Sequence, residues 1–402
     1  MPPQKNILMI LQADYPPDIR LTKEIDALVQ AGCRVYLLCH NKGNQPRVEE
    51  VDGATVLRLR HYGARWSALI NTPLFFNPVW LLGLRRAIRR YAITSLHVHD
   101  LPLAMSALWM GRWFRIPVVF DVHENYPEAM RIWGRKGLLW FLFRNPWLAE
   151  KLERRCLDQA DAVITVSEEH RAFFIRRGVA ADKIHFVGNT VDYESYVAMP
   201  VDPAIVARYR DEYVLEYLGK FGPERDLETA IRGLRHLVPH IPNIRLLLVG
   251  DGPNVAALQH CAREEGVAER VEITGWVPFA QTASYISACH ICIVPQPSNP
   301  FIDNTIPHKI FQYMALEKPV VCSDAKALVR IVRESQCGEV FPSRSPQGFA
   351  EAVLKICRGD LSYGKNGRRA VEEKYNWRTS SRTLIALYHN LYSDLLDRNG
   401  AV

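Results

Sequence analysis

Short apolar runs rich in β-branched residues recur along this chain, each closed by a turn signal and followed by a stretch of helical periodicity. Ile7–Leu11 is the first run. A loop over 12–17 follows it, and Leu21–Gln30 then has the spacing of a helix that stops at Ala31-Gly32. Val35–Cys39, Ser95–Val98, Val118–Asp121, Ala162–Val166 and Ile184–Phe186 continue the series of strands. Alternating strands and helices argue for a parallel sheet with crossover helices. The pattern restarts after residue 211. Strands are predicted over Tyr213–Leu218, Ile244–Val249, Val271–Thr274, Ile291–Val294 and Pro319–Cys322, with helices over Leu227–Leu237 and Val255–Glu265. A polar stretch holding Pro200 and Pro203 lies between the two series. The expected architecture is α/β: two Rossmann-like domains over 1–192 and 212–376, a linker over 193–211, and a last helix within 377–402. Facing sheets of this kind leave a central cleft at the carboxyl ends of their strands, where ligands bind. Four post-strand loops then become candidates for chemistry: 12–20, 121–128, 219–226 and 295–309.

Composition supports two domains and narrows the partners. A chain of 402 residues is too long for one ordinary domain. The first apolar run is too short for a signal peptide and no small-residue cleavage site follows, so a cytoplasmic location is expected. The nine cysteines are then expected to be free thiols that pack as small hydrophobes. Cys289 and Cys292 fall in one strand-like run, where residues three apart point to opposite faces, so they are not expected to share a metal or a disulfide. The net charge of +7 is uneven, since residues 58–155 hold sixteen Lys/Arg against six Asp/Glu. That segment is also rich in Trp, Phe and Leu, which suits an anionic membrane surface better than nucleic acid, for which no recognised motif is present. The longest uncharged run, Ala68–Leu84, contains Pro73 and Pro78 and makes a poor membrane span. Ile132–Trp147 mixes three tryptophans with Arg135, Lys136 and Arg144, which suits an interfacial helix and equally a core or oligomer contact.

The candidate loops carry distinct chemistry. Gly219 and Gly222 after a strand let the backbone approach a ligand, and Lys220 and Arg225 add two cations. A diphosphate leaving group needs such charge as its bond breaks, though the loop reads equally as an exposed turn with surface charges. In Asn304-Thr305-Ile306-Pro307-His308-Lys309, Pro307 fits the first turn of a helix whose start attracts phosphate, and Gln312 lies where an amide reaches a ribose hydroxyl. Asp121-Val122-His123-Glu124 places three ionisable groups at a strand end, costly to bury and useful in a cleft. His97 and His99 share a strand face, but a lone His-x-His is more often structural, and no metal is expected in the chemistry. Asp14, Asp18 and Arg20 in the first loop are candidates for acceptor contacts.

Taken together these motifs resemble the family-4, or group 1, retaining glycosyltransferases of GT-B fold, over nearly the whole chain. Asp121–Glu124 resembles the family's strand-end histidine motif. Ala160–Ser167 and Val187–Asp192 resemble its signatures ahead of the linker, Leu218-Gly219-Lys220 with Arg225 its basic pair, Leu247–Pro253 its Gly-Asp-Gly-Pro turn, and Lys309–Ala315 its most recognisable helix. The resemblance implies transfer of a sugar from a nucleotide diphosphate to a glycan or lipid-linked acceptor, with retention and without a metal; the sugar nucleotide is a substrate and no cofactor is implied. It places His123, with Glu124, near the donor sugar, Lys220 and Arg225 on the diphosphate, and the amides near His308 and Lys309 on phosphate. Gly219, Gly250, Thr305 and Ile306 complete the donor site, and Trp276-Val277 lies near the base. The last helix is expected to return to the first domain. Asn304 and Gln312 stand where the family often carries two glutamates, which opens the donor sugar to question. That change, together with the fold, also admits a non-catalytic binding relative or a sugar-nucleotide epimerase.

Overall fold

The computed structural model describes residues 4–60, 76–132, 145–359 and 362–400, with side chains described up to residue 393. The chain forms two units, one comprising 1–188 with 380–402, the other 189–379. In the first unit the described strands are β1 (Asn6–Ile10), β2 (Arg34–Cys39), β3 (Val48–Val51), β4 (Ala54–Arg58), β5 (Ser95–His99), β6 (Val118–Val122), β7 (Ala162–Thr165) and β8 (Ile184–Phe186). They are ordered β3-β4-β2-β1-β5-β6-β7-β8, parallel except for the β3–β4 hairpin. The second unit contains β9 (Tyr213–Leu218), β10 (Ile244–Val249), β11 (Val271–Ile273), β12 (Ile291–Val294), β13 (Val320–Ser323) and β14 (Gly338–Phe341), ordered β11-β10-β9-β12-β13-β14 and parallel throughout. The fold is thus the doubly wound α/β type in both units. Central strands such as β1, β5, β6 and β12 are buried along their whole length, because helices cover both faces; this is why they read as continuous apolar runs.

Strand order reverses between β1 and β5 in the first unit and between β9 and β12 in the second. Ligands of doubly wound sheets bind outside the carboxyl ends at such reversals. The residues that follow β1, β5, β6, β9 and β12 are therefore the ones the topology brings together within each unit.

Three local expectations need correction. The stretch 193–211 is not bare linker: it carries the helices Tyr193–Val197 and Pro203–Arg208, each capped by an aspartate side chain, Asp192 and Asp202. The helix expected to hold Pro307 in its first turn runs from Lys309 to Ala315, with His308 at its N-cap and no side-chain capping bond. Cys289 and Cys292 do not share a strand. Cys289 ends the helix Thr282–Ala288 and Cys292 lies in β12, so the chain turns between them and their Sγ atoms come within 3.2 Å. The stretch 133–144, which held most of the expected interfacial helix, lies outside the described residues.

Candidate active site

In the first unit a buried polar cluster sits behind the carboxyl ends of β5 and β6. His97 and His99 point from β5 and Asp121 from β6. Arg20 enters from the first turn of the helix Ile19–Gln30, whose N-cap Asp18 accepts from the Leu21 amide at 3.0 Å. The sequence placed Arg20 among solvated loop charges; it is only 8% exposed. Its guanidinium donates to both Asp121 oxygens at 3.1 and 3.3 Å, pairs with Glu24 at 2.9 Å and donates to the Val187 carbonyl at 3.1 Å. That engagement removes Arg20 from direct acceptor contact. Asp18 serves as a cap, and Asp14 accepts from the Lys42 amide.

His123 stands at the front of this cluster, with its side chain about 20% exposed. Its amide donates to Asp100 Oδ1 at 3.0 Å, while its Nε2 lies 3.0 Å from Asp121 Oδ2 and 3.1 Å from Arg20 Nε. One nitrogen cannot donate to the carboxylate and accept from the guanidinium at once. Burial lowers the imidazole, but Asp121 and then Asp100 outweigh burial and Arg20, raising His123 to about 9. The proton therefore sits on Nε2, facing Asp121. Asp121 is held well below the usual carboxylate range: burial would raise it, and Arg20 and His123 more than reverse that. His99 goes the other way, to about 3, because burial dominates. Glu24, His97, His99 and Asp121 lie close enough to share an ion, yet both carboxylates already pair with Arg20. From the last helix, Tyr388 bonds to His97 Nδ1 at 3.0 Å.

In the second unit the ends of β9, β10 and β12 carry the donor candidates. Gly219 has φ +130°, and a Cβ there would lie 2.9 Å from Lys309 Nζ. Gly250 has φ +140°, and a Cβ there would strike the Gly219 carbonyl. Both positions require glycine, so the backbone here is open because close approach demands it. Lys220 is exposed beside them. Arg225 donates to Gln296 Oε1 at 2.8 Å, which fixes its guanidinium at the switch point. Lys309 lies over the Tyr217 ring, 3.6 Å from its centroid, and desolvation and then Arg225 hold its ammonium well below the ordinary range. The structure thus brings Gly219, Lys220, Arg225, Gly250 and Lys309 into one neighbourhood. Trp276 lies in a separate loop and is 76% exposed. Gln312 is buried on its helix, and Asn304 is buried in the preceding loop, where its amide donates to the Pro300 carbonyl at 2.8 Å. Ile306 is buried, and Thr305 donates to the Ile302 carbonyl. Sequence reasoning passed over Gln296, although its place two residues beyond β12 is the same post-strand signal that identified His123.

Behind this site Glu216 of β9 is fully buried beside Cys292 and Tyr313, and burial pushes it up to about 8. Glu216, Cys289 and Cys292 are also close enough to share an ion. As assembled, Glu216 and Cys292 keep their protons, since burial raises the thiol as well.

The family description "Glycosyl transferase 4-like domain" fits residues 19–190, and "Glycosyl transferases group 1" fits residues 212–358. The two together take in most of both units. The chain belongs to the group 1 glycosyltransferases. Among relatives of this glycosyltransferase is a phosphatidylinositol N-acetylglucosaminyltransferase from Arabidopsis thaliana, 25% identical over 297 residues. Those residues are 72% of this chain but only 62% of the plant protein's length. A sucrose-phosphate synthase from Thermosynechococcus elongatus shares the fold with a TM-score of 0.78, at 21% identity over 97% of this glycosyltransferase and 100% of the synthase. The Anabaena protein HepE in complex with UDP shares it with a TM-score of 0.69, at 15% identity over 96% and 100%. The expected GT-B fold class and enzyme class both stand.

Proposed function

We propose that this glycosyltransferase moves a sugar from a nucleotide diphosphate donor to a lipid-linked or glycan acceptor, with retention at the anomeric carbon. One observation carries the donor assignment. Lys220, Arg225 and Lys309 converge on two glycines whose geometry keeps side chains out, at the strand-order reversal of the second unit. When the bond from C1 to the diphosphate breaks, the electron pair stays on the departing oxygen. A preorganised guanidinium held by Gln296 stabilises that charge without reorganising. The complex of HepE with UDP supports a nucleoside diphosphate as the ligand of such a fold. The plant relative's phosphatidylinositol acceptor supports a lipid-linked acceptor here.

His123 serves the transfer step as a cation: its Nδ1–H is a donor suited to a sugar hydroxyl or a phosphate oxygen, while Asp121 takes the other N–H. Glu124, Asp14 and Asp18 remain the acidic groups nearest these elements for acceptor contacts. The eight buried free cysteines fit a reducing, cytoplasmic setting. Isothermal calorimetry against a panel of nucleoside diphosphates tests the reading. Uptake by the wild-type chain, lost in Arg225→Ala, is the expected result; no uptake of any diphosphate ends the donor assignment.

A further inference from the structure

Three helices lie side by side in the first unit: Pro78–Arg90, Leu101–Phe114 and Pro146–Gln159, with the middle one packed on both neighbours. Their inner faces give Trp80, Leu84, Leu108, Ala149 and Leu157 to the core. Their outer faces are not an ordinary solvated surface. Phe76, Leu82, Trp109, Trp113 and Trp147 are between 45% and 61% exposed. Phe76 meets Trp109 edge-on with centroids 6.2 Å apart, and Trp109 meets Trp113 at 5.9 Å, so these three rings form one continuous patch.

Cations surround the patch. Arg85, Arg86, Arg89 and Arg90 are exposed on the first helix, and Arg112 and Arg115 at the end of the second. On the third, Lys151 Nζ lies 3.6 Å from the centroid of the Trp147 ring. Between residues 76 and 118 the sequence has a single acid, Asp100, and that side chain is turned toward His123. A cavity of about 510 Å³ opens at this end of the middle helix, lined among others by Leu108, Arg112, Arg115, Gln159 and Asp161. The Asp161 carboxylate there is already engaged, accepting from the Val118 amide at 2.8 Å.

Exposed aromatic clusters of this kind mark an interaction surface. The charge decides what covers it. A protein partner would have to supply many carboxylates at matched positions, whereas an anionic bilayer offers phosphate at every point and an interfacial zone in which indole rings are favoured. We propose that the outer face of these three helices docks on an anionic lipid bilayer. Trp109, Trp113 and Trp147 sit at headgroup depth, and Arg85, Arg89, Arg112 and Arg115 meet lipid phosphates. The attachment is peripheral, since no helix among the described residues is long and apolar enough to cross a membrane. The inference deepens the lipid-linked acceptor reading above by naming the surface that brings the enzyme to such an acceptor.

The test uses the full chain and co-sedimentation with vesicles of phosphatidylcholine, alone or with about 30% phosphatidylglycerol. Binding to the anionic vesicles should be at least about tenfold tighter, and should weaken about tenfold or more in Arg85→Glu/Arg89→Glu/Arg112→Glu and in Trp109→Ser/Trp113→Ser. Both variants should retain wild-type affinity for nucleoside diphosphate in calorimetry, which shows that they are folded. Equal binding to both vesicle types, or variants that bind as wild type does, overturns the proposal. So does a wild-type dimer that the variants dissociate while vesicle binding is unchanged. A wild-type chain that binds anionic vesicles through these residues but takes up no diphosphate would leave the surface standing and remove the donor reading instead.

Discussion

Asp121 in the first unit and Glu216 in the second are both fully buried on central strands, yet one is ionised and the other neutral. The difference lies in what faces each carboxyl. Asp121 receives two guanidinium bonds from Arg20 and lies 3.0 Å from His123 Nε2. Glu216 faces a thiol and a phenol, and among the described residues no ion pair reaches it. Burial penalises the charged form in both places, and only a close countercharge reverses it. The first unit therefore keeps a fixed ion network behind a cationic His123. The second keeps its cations for the front of the site and a neutral set behind them.

This contrast can be broken, and the largest effect should come from the ionised side. Arg20→Met leaves Asp121 and Glu24 without their cation and should destabilise the first unit by about 3–5 kcal/mol, read by urea denaturation. A loss near zero would mean that Asp121 is neutral too. Next come the front cations of the second unit. Lys220→Ala and Arg225→Ala should each cut turnover roughly ten- to a thousand-fold with stability intact; wild-type rates in both would remove them from the chemistry. A smaller effect is expected in the pH profile. Because folding raises His123 from 6.5 to about 9, its contribution to stability is whole below pH 6.5 and is lost as pH rises through 9. Activity should fall over that same upper limb, and His123→Gln should have low activity and lack the limb. The smallest effect belongs to the neutral side. Glu216→Gln keeps shape and neutrality and should cost less than about 1.5 kcal/mol at pH 5. Folding raises Glu216 from 4.5 to about 8, so wild type should lose stability relative to this variant between those values. A variant that instead loses ground across that range would show that Glu216 is charged.

The strand ends were legible in the sequence. A run buried on both faces and then closed by glycine or by a cluster of ionisable residues fits the carboxyl end of a central parallel strand and little else. That is how His123, Lys220 and Arg225 were found. Arg20 was misread because its burial depends on Asp121, a partner 101 positions away, and nothing local distinguishes it from a solvated loop arginine. The hairpin β3–β4 escaped notice because its outer strand, Val48–Val51, is mostly exposed and carries two glutamates. Cys289 and Cys292 were misread because the helix-to-strand turn falls between them, and strand periodicity does not apply across it.

The last helix carries one further consequence. Tyr388 closes the His97 side of the buried cluster, and Tyr392 bonds to Thr94 and Ser95 at 2.9 Å each. These partners lie almost three hundred positions upstream. On the ribosome, the amino-terminal unit emerges first and must wait, with His97 and its neighbours uncapped, while the entire second unit is synthesised. The part of the enzyme that is translated first is therefore the part that is finished last.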